Sequence, residues 1–243
     1  MKELKFAFSV DYDWASEAVL EQSLENFFVE NIPLTIFATH NSEYVLRHWD
    51  LNENIELEIH PNFCPNSSHG NTYEDVFRFS EQIKSEMIGF RCHRYFESND
   101  INDYFLTKGY KYSSNICTNL NYVPPFYNRY GLISIPLFME DGGFLFNKYE
   151  LKLDSILRKL PTSGTVVFNF HPMHIAFNSN NLAKTINFRN RLTIEKYQNI
   201  PLETIKSQQN SKFGIRNLLL DLLAWGDSHN IQNVLLKSLV CEK

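Results

Sequence analysis

Short strand-like runs that end in aspartate, arginine or histidine are the feature of this sequence that most constrains its fold. Four such runs are visible, at residues 7–10, 55–59, 88–90 and 164–170. The polar residues that follow them are, in the same order, Asp11 and Asp13, His60, Arg91 and His93, and His171 and His174. Runs of this kind are typical of buried strands, and parallel α/β sheets bind ligands at one end of their strands. The sequence therefore predicts one functional site assembled from separate strands.

Segments with helical patterning lie between these runs. Helices are predicted at residues 14–30, 43–49, 72–86, 99–108, 149–160 and 215–228, and further strands at 34–39, 110–114 and 132–138. Thr72 is the predicted N-cap of the third helix, with Asp75 at its N3 position. Asn99 or Asp100 is the predicted N-cap of the fourth helix, which Gly109 ends.

The alternation of strands and helices predicts an α/β fold with right-handed crossovers. We expect a distorted or incomplete (β/α) barrel of about seven parallel strands, with an open doubly wound sheet as the second choice. No repeat and no linker composition interrupts the 243 residues, so a single domain is predicted over 1–243. The part from about residue 181 onward is predicted to be mainly helical.

Composition and charge exclude several classes of partner. The formal net charge is −5 and no predicted helix carries a basic stripe, which argues against binding to nucleic acid. No run approaches the roughly 20 apolar residues of a membrane span, and no secretory leader is visible at the start. The four cysteines, which lack CxxC spacing, are predicted to be free thiols. We therefore expect a cytoplasmic protein.

The polar strand ends carry the residue types of a metal-dependent hydrolase. If the first strand continues through Asp13, the side chains of Asp11 and Asp13 share one face, and together with His60 they suit a catalytic divalent metal. An inward-facing Arg91 needs an anion, and Asp11 is the candidate. The chain has no GxGxxG, Walker A, HExxH or GxSxG motif. Metal-assisted hydrolysis is the chemistry that remains.

The motifs also occur in the order found in a known family. They are Phe8–Trp14 (FSVDYDW), Ile32–Phe37 (IPLTIF), Glu58-Ile59-His60, Gly89–His93 (GFRCH) and Phe170-His171. Over about residues 5–178 the chain resembles the polysaccharide deacetylases, the NodB-homology group of carbohydrate esterases. Three further stretches resemble its WbmS-like branch, which is linked to surface polysaccharide synthesis: HPNF at 60–63, IPLFMED at 135–141 and FNFHP at 168–172.

The resemblance implies a role for each matching residue. Asp11 corresponds to the catalytic base, Asp13 and His60 to metal ligands, Arg91 to the residue that orients the base, and His171 to the general acid. The family usually has its second metal histidine four residues after the first, where this chain has Cys64. We predict His93 as the third ligand, with His69 and Cys64 as alternatives. Further candidate site residues are His174 and Asp141. The implied cofactor is one divalent metal, with zinc the first choice.

The resulting hypothesis is a metal-dependent hydrolase that removes an N-acyl group, acetyl in the first instance, from an amino sugar. In the cytoplasm that substrate would be linked to a nucleotide or a lipid. The alternatives are a catalytically inactive carbohydrate-binding protein and a hydrolase of another C–N amide bond, such as a sugar N-deformylase. We also expect the strands that carry Asp11 and His171 to approach each other across the mouth of the barrel.

Overall fold

Strands and helices alternate along residues 3–240, the part of the chain that a computed structural model describes. The strands are β1 (Leu4–Asp11), β2 (Leu34–Ala38), β3 (Ile55–Ile59), β4 (Gly89–Phe90), β5 (Tyr112–Ser113), β6 (Phe126–Tyr127), β7 (Ile133–Ser134), β8 (Met139–Glu140), β9 (Gly164–Phe170) and β10 (Gln232–Asn233). The helices are α1 (Glu17–Val29), α2 (Glu43–Trp49), α3 (Tyr73–Ser80), α4 (Asn99–Thr107), α5 (Asp141–Phe146), α6 (Leu153–Leu157), α7 (Pro172–Ala176), α8 (Leu182–Arg189), α9 (Ile194–Gln198), α10 (Leu202–Gln208) and α11 (Ile215–Ser228). Two 3₁₀ segments span His93–Tyr95 and Leu236–Val240.

The strands form one mostly parallel, curled sheet in the order β6-β7-β5-β4-β3-β2-β1-β9-β8, with β10 beside the start of β1. The β6–β7 pair alone is antiparallel among the described strands. β7 and β8 are parts of one extended run interrupted at Pro136, which has no N–H to donate to a neighbour. Because β7 pairs with β5 and β8 pairs with β9, this run connects the two ends of the sheet.

This architecture is the predicted distorted α/β barrel, although it has ten strands where about seven were expected. The excess comes from the interruption at Pro136, which divides one strand into two, and from the two-residue strands β6 and β10. The predicted strands at 110–114 and 132–138 contain β5 and β7, each only two residues long.

Of the two helix starts predicted from capping residues, one is confirmed and one is wrong. Thr72 and Asp75 form a reciprocal capping box at the start of α3, but that helix ends at Ser80 instead of residue 86. The chain turns there because Glu86 N–H donates to Leu57 of β3, which draws the segment toward β4. The predicted N-cap of α4 at Asn99 or Asp100 was wrong, since Ser98 is the residue that accepts the capping hydrogen bond.

The later helices differ more from the prediction. The helix expected at 149–160 is reduced to α6, and α5 was not predicted at all. α8 to α11 form the mainly helical part expected from residue 181, and α11 has the predicted bounds.

Free thiols occur at Cys64, Cys92 and Cys117, whereas Cys241 lies outside the described residues. Among residues 3–240, no helix combines the length and apolar character that a membrane span requires.

Side chains on the inner face of the sheet form layers. The lower layer is apolar and includes Ala7, Phe37 and Tyr112, closed from below by Leu236 and Leu239 of the C-terminal 3₁₀ segment. A hydrogen-bonded polar layer lies above it, made of Ser9, Arg91, Ser114 and Asn169. The strands end above this layer, so the polar residues that follow them meet at the mouth of the barrel.

Candidate active site

Asp13, His60 and His93 converge at this mouth. Asp13 Oδ1 lies 3.3 Å from His60 Nε2 and 3.0 Å from His93 Nδ1. One ligand atom from each of the three residues lies within 4.8 Å of the other two. His60 is buried, whereas about a quarter of the Asp13 side chain faces the solvent. The three predicted metal ligands therefore form one cluster with an open side.

The donor set and its spacing fit a divalent metal. With bonds of about 2.0–2.1 Å, the ligand atoms of a tetrahedral zinc site are about 3.3 Å apart. The two separations from Asp13 are close to that value. Two imidazoles and one carboxylate with an open position match the composition of catalytic zinc and non-haem iron sites. The cluster could thus hold one such ion, and the open side would leave room for water and substrate.

The alternative third ligands, His69 and Cys64, lie outside this cluster among the described residues. His69 is buried, its ring is stacked on Phe79, and its Nδ1 accepts a hydrogen bond from Asn62 N–H at 3.1 Å. Burial, followed by the nearby imidazoles of His60 and His93, lowers the pKa of His69 to about 3. His69 is consequently neutral, and its Nδ1 lone pair is already occupied.

The two turns that carry the cluster have unusual backbone conformations. β1 ends at Asp11, and Asp13 and Trp14 follow with φ of 47° and 59°. Arg94 and Tyr95, just after His93, have φ of 56° and 55°. A left-handed conformation costs a non-glycine residue about 1–2 kcal/mol, and such strain is often found at functional sites. The expectation that Asp11 and Asp13 share a face of one continuing strand was wrong, because a turn brings Asp13 to the site.

Asp11 is held beneath the cluster by a buried network. Arg91 Nη1 donates to Asp11 Oδ1 at 2.7 Å, and Asn169 Nδ2 donates to Asp11 Oδ2 at 2.9 Å. Arg91 also donates to Ser9 and to both the carbonyl and the hydroxyl of Ser114. Burial alone would raise the pKa of Asp11. The Arg91 guanidinium and the imidazoles of His60 and His171 have the opposite effect, which is larger in sum, so the pKa of Asp11 is lowered. Asp11 is therefore ionised and fixed in orientation.

His171 lies beside both aspartates and is held from behind by Asp141. Its Nδ1 is 2.6 Å from Asp141 Oδ1, and its backbone N–H donates to Asp141 Oδ2 at 2.8 Å. Its Nε2 lies 3.9 Å from Asp11 Oδ2 and 3.6 Å from Asp13 Oδ2. Burial lowers the pKa of His171, but Asp141, Asp13 and Glu140 together raise it well above its usual value. His171 is thus protonated at neutral pH, with Nε2–H directed toward the two aspartates.

The positions of Asp11 and His171 in the sheet differ from the expectation. β1 and β9 are hydrogen-bonded neighbours along their whole length, so these residues lie side by side and not across the mouth. His171 is also at the N-cap position of a short helix, α7, where an irregular loop was expected. His174 is in that helix, buried and edge-on to His171, with an Nδ1 that has no hydrogen-bond partner among the described residues. Burial lowers the pKa of His174, which is neutral.

Two site residues were missed in the sequence. Asn169, which positions Asp11, lies two residues before His171 on the same face of β9, so the alternation of a strand could have revealed it. Glu140 lies 3.4 Å from His171 Nδ1, and its carboxylate also accepts from the N–H groups of Gly142 and Gly143. Burial, only partly offset by His171, raises the pKa of Glu140 to about 7.

A groove of about 660 Å³ opens from the cluster. Asp13, His93 and His171 lie at one part of its lining, and residues from α8 and α9 form a wall. Its volume is in the range of small-molecule sites. The groove is large enough for a sugar with a substituent.

Comparisons with known proteins identify a family and a similar fold. The family model described as WbmS-like polysaccharide deacetylase matches residues 8–189. A crystal structure from Bordetella bronchiseptica, provisionally described as a polysaccharide deacetylase involved in O-antigen biosynthesis, has a TM-score of 0.79 and 23% sequence identity, over 90% of each chain. At that identity the likeness shows a common fold. A search of curated proteins found no significant match.

Proposed function

Since this chain belongs to the WbmS-like polysaccharide deacetylase family, we propose that it is a metal-dependent hydrolase that removes an N-acetyl group from an amino sugar. The observation that carries the proposal is the adjacency of an ionised Asp11, a protonated His171 and the cluster of Asp13, His60 and His93. The process is surface polysaccharide synthesis, the context in the description of the similar Bordetella structure. The substrate is an amino sugar linked to a nucleotide or a lipid, and the cytoplasmic location stays a prediction.

In this proposal Asp13, His60 and His93 hold one divalent metal, with zinc the first choice. Such an ion polarises a carbonyl group and lowers the pKa of a bound water. Asp11 acts as the general base, because Arg91 and Asn169 keep it ionised and fixed in orientation. Asp11 would accept the proton of the water that attacks the carbonyl carbon.

His171 then completes the reaction as general acid. Its Nε2–H gives a proton to the amide nitrogen as the C–N bond breaks, which releases acetate and the amine. Asp141 holds the imidazolium by accepting from Nδ1–H. Asp11 finishes with one proton gained and His171 with one proton lost, and proton exchange with the solvent would return both groups to their starting states.

An acetate-release assay tests the proposal. The zinc-loaded protein is incubated with nucleotide-linked and lipid-linked N-acetylamino sugars, and with the corresponding N-formyl compounds, and the released acid is quantified. Acetate release that chelation abolishes and zinc restores is the expected result. Release of formate alone would favour a sugar N-deformylase. Binding without release of either acid, together with undiminished cellular function after Asp13→Ala, would favour the carbohydrate-binding alternative.

Replacing Asp141 by asparagine is expected to shift the alkaline limb of the activity profile to lower pH. A general acid must be protonated, so activity falls as the pH rises through the pKa of His171. The carboxylate at 2.6 Å raises that pKa, and the neutral amide cannot replace it. The measurement is kcat as a function of pH for wild type and Asp141→Asn. If kcat falls at the same alkaline pH in both proteins, Asp141 does not determine the pKa of the group that acts as general acid.

A further inference from the structure

We propose that Arg94 and Arg189 are anion-binding residues of the groove lining, and that the amino-sugar substrate carries a phosphate or carboxylate group that these guanidinium groups bind. The inference rests on the proposed deacetylase function and names the class of substrate. The two arginines lie in different parts of the chain, Arg94 directly after His93 and Arg189 at the end of α8. Both line the groove that opens from the metal-binding cluster.

Arg94 has the features of a residue placed for an external ligand. It is exposed, and none of its donors has a hydrogen-bond or carboxylate partner among the described residues. Its backbone has φ 56° and ψ 26°, a conformation that non-glycine residues seldom adopt. Arg94 and the predicted ligand His93 line the same groove, so a substrate held at the cluster would also have Arg94 in its binding site.

Arg189 faces the groove from the helical wall. Its guanidinium carbon lies 4.5 Å from the ring centroid of Tyr197, which is buried and also lines the groove. Its Nη1 donates to the carbonyl of Leu192 at 3.3 Å, and no carboxylate lies within ion-pair distance among residues 3–240. The aromatic face and the carbonyl orient the guanidinium while its other N–H groups stay available.

The lining of the groove carries charges of both signs. Asp13 and Glu140 supply carboxylates beside His171, where the acyl group would react, and the two arginines supply positive charge elsewhere in the lining. In a chain of net charge −5, paired positive charge in the groove is a local exception. A planar guanidinium binds phosphate and carboxylate with two parallel hydrogen bonds. An anionic amino sugar therefore complements the groove better than a neutral one.

Equilibrium binding of three deacetylated probes tests the inference without turnover. The probes are glucosamine 1-phosphate, glucosaminuronic acid and the neutral methyl glucosaminide, and their Kd values are measured by calorimetry on the zinc-loaded protein. We expect at least one anionic probe to bind about 10- to 100-fold more tightly than the neutral probe, the contribution of hydrogen bonds between charged groups. Preference for the phosphate indicates a carrier-linked sugar, and preference for the carboxylate indicates a sugar acid.

Variants assign the preference to these residues. The double variant Arg94→Gln/Arg189→Gln is expected to bind all three probes equally, whereas Arg94→Lys retains part of the preference because it keeps the charge. Arg191→Gln, which removes an exposed arginine outside the groove lining, is the matched control and should behave as wild type. Equal Kd values for all three probes in wild type, or an unchanged preference in the double variant, would overturn the inference. The acetate-release assay is separate, so absence of turnover would refute the proposed function without deciding this question.

Discussion

His171→Ala is expected to lower kcat by about 10²–10⁴ while the metal content stays near that of wild type. An amine is a poor leaving group until it is protonated, and His171 Nε2–H is the proton donor beside the ionised Asp11. The alanine variant leaves Asp13, His60 and His93 intact. The measurement combines steady-state acetate release with metal analysis of the same preparation.

His174→Ala is the matched control for this prediction. It removes a neighbouring histidine that is neutral and whose Nδ1 contacts no carboxylate. We expect a smaller loss of kcat than for His171→Ala. Loss of the metal in His171→Ala would mean that His171 is a ligand. Unchanged turnover in His171→Ala with a large loss in His174→Ala would move the general acid to His174.

Arg91→Met is expected to lower the free energy of unfolding by about 3–5 kcal/mol, because it leaves Asp11 charged and unpaired in the barrel. Typical domains have a total stability of only about 5–15 kcal/mol, so the loss is a large fraction. Urea denaturation measures it. Adding Asp11→Asn should recover part of the loss, because the unpaired charge is then removed.

Arg158→Met removes an exposed arginine and is the control, with an expected change within about 0.5 kcal/mol. A similar small change for Arg91→Met would refute the argument that the buried pair requires both partners. Arg91→Lys separates orientation from charge. Lysine keeps the charge but cannot make the set of bonds that the guanidinium donates to Asp11, Asn169 and Ser114, so turnover should still fall.

The fold was predictable because local signals and the sheet periodicity agree along much of the chain. The strands at β3 and β9 and the start of α3 follow from apolar runs and a capping box. The ends of α3 and α6 were not predictable in this way, since contacts between distant segments determine where those helices stop. Glu86, for example, ends the α3 region by donating to a strand about 30 residues earlier.

The candidate site, like the fold, could be predicted only in part. The residues at the strand ends could be identified from their spacing, and Asp13, His60 and His93 converge as that spacing suggested. The sequence did not show which strands are neighbours in the sheet. β9 lies next to β1, although about 150 residues separate them. That pairing places His171 beside Asp11 and lets Asn169 form hydrogen bonds with both Asp11 and Arg91. Likewise, no sequence motif predicts that residues of α8 and α9 form a wall of the groove.

The metal content of the purified protein tests most directly the central claim, that Asp13, His60 and His93 bind one divalent metal. After loading with zinc and removal of loosely bound ions, wild type is expected to contain about one equivalent per chain. His93→Ala should retain much less, and His69→Ala should match wild type, because His69 lies outside the cluster. No bound metal in wild type, or full occupancy in His93→Ala with loss in His69→Ala, would contradict the account.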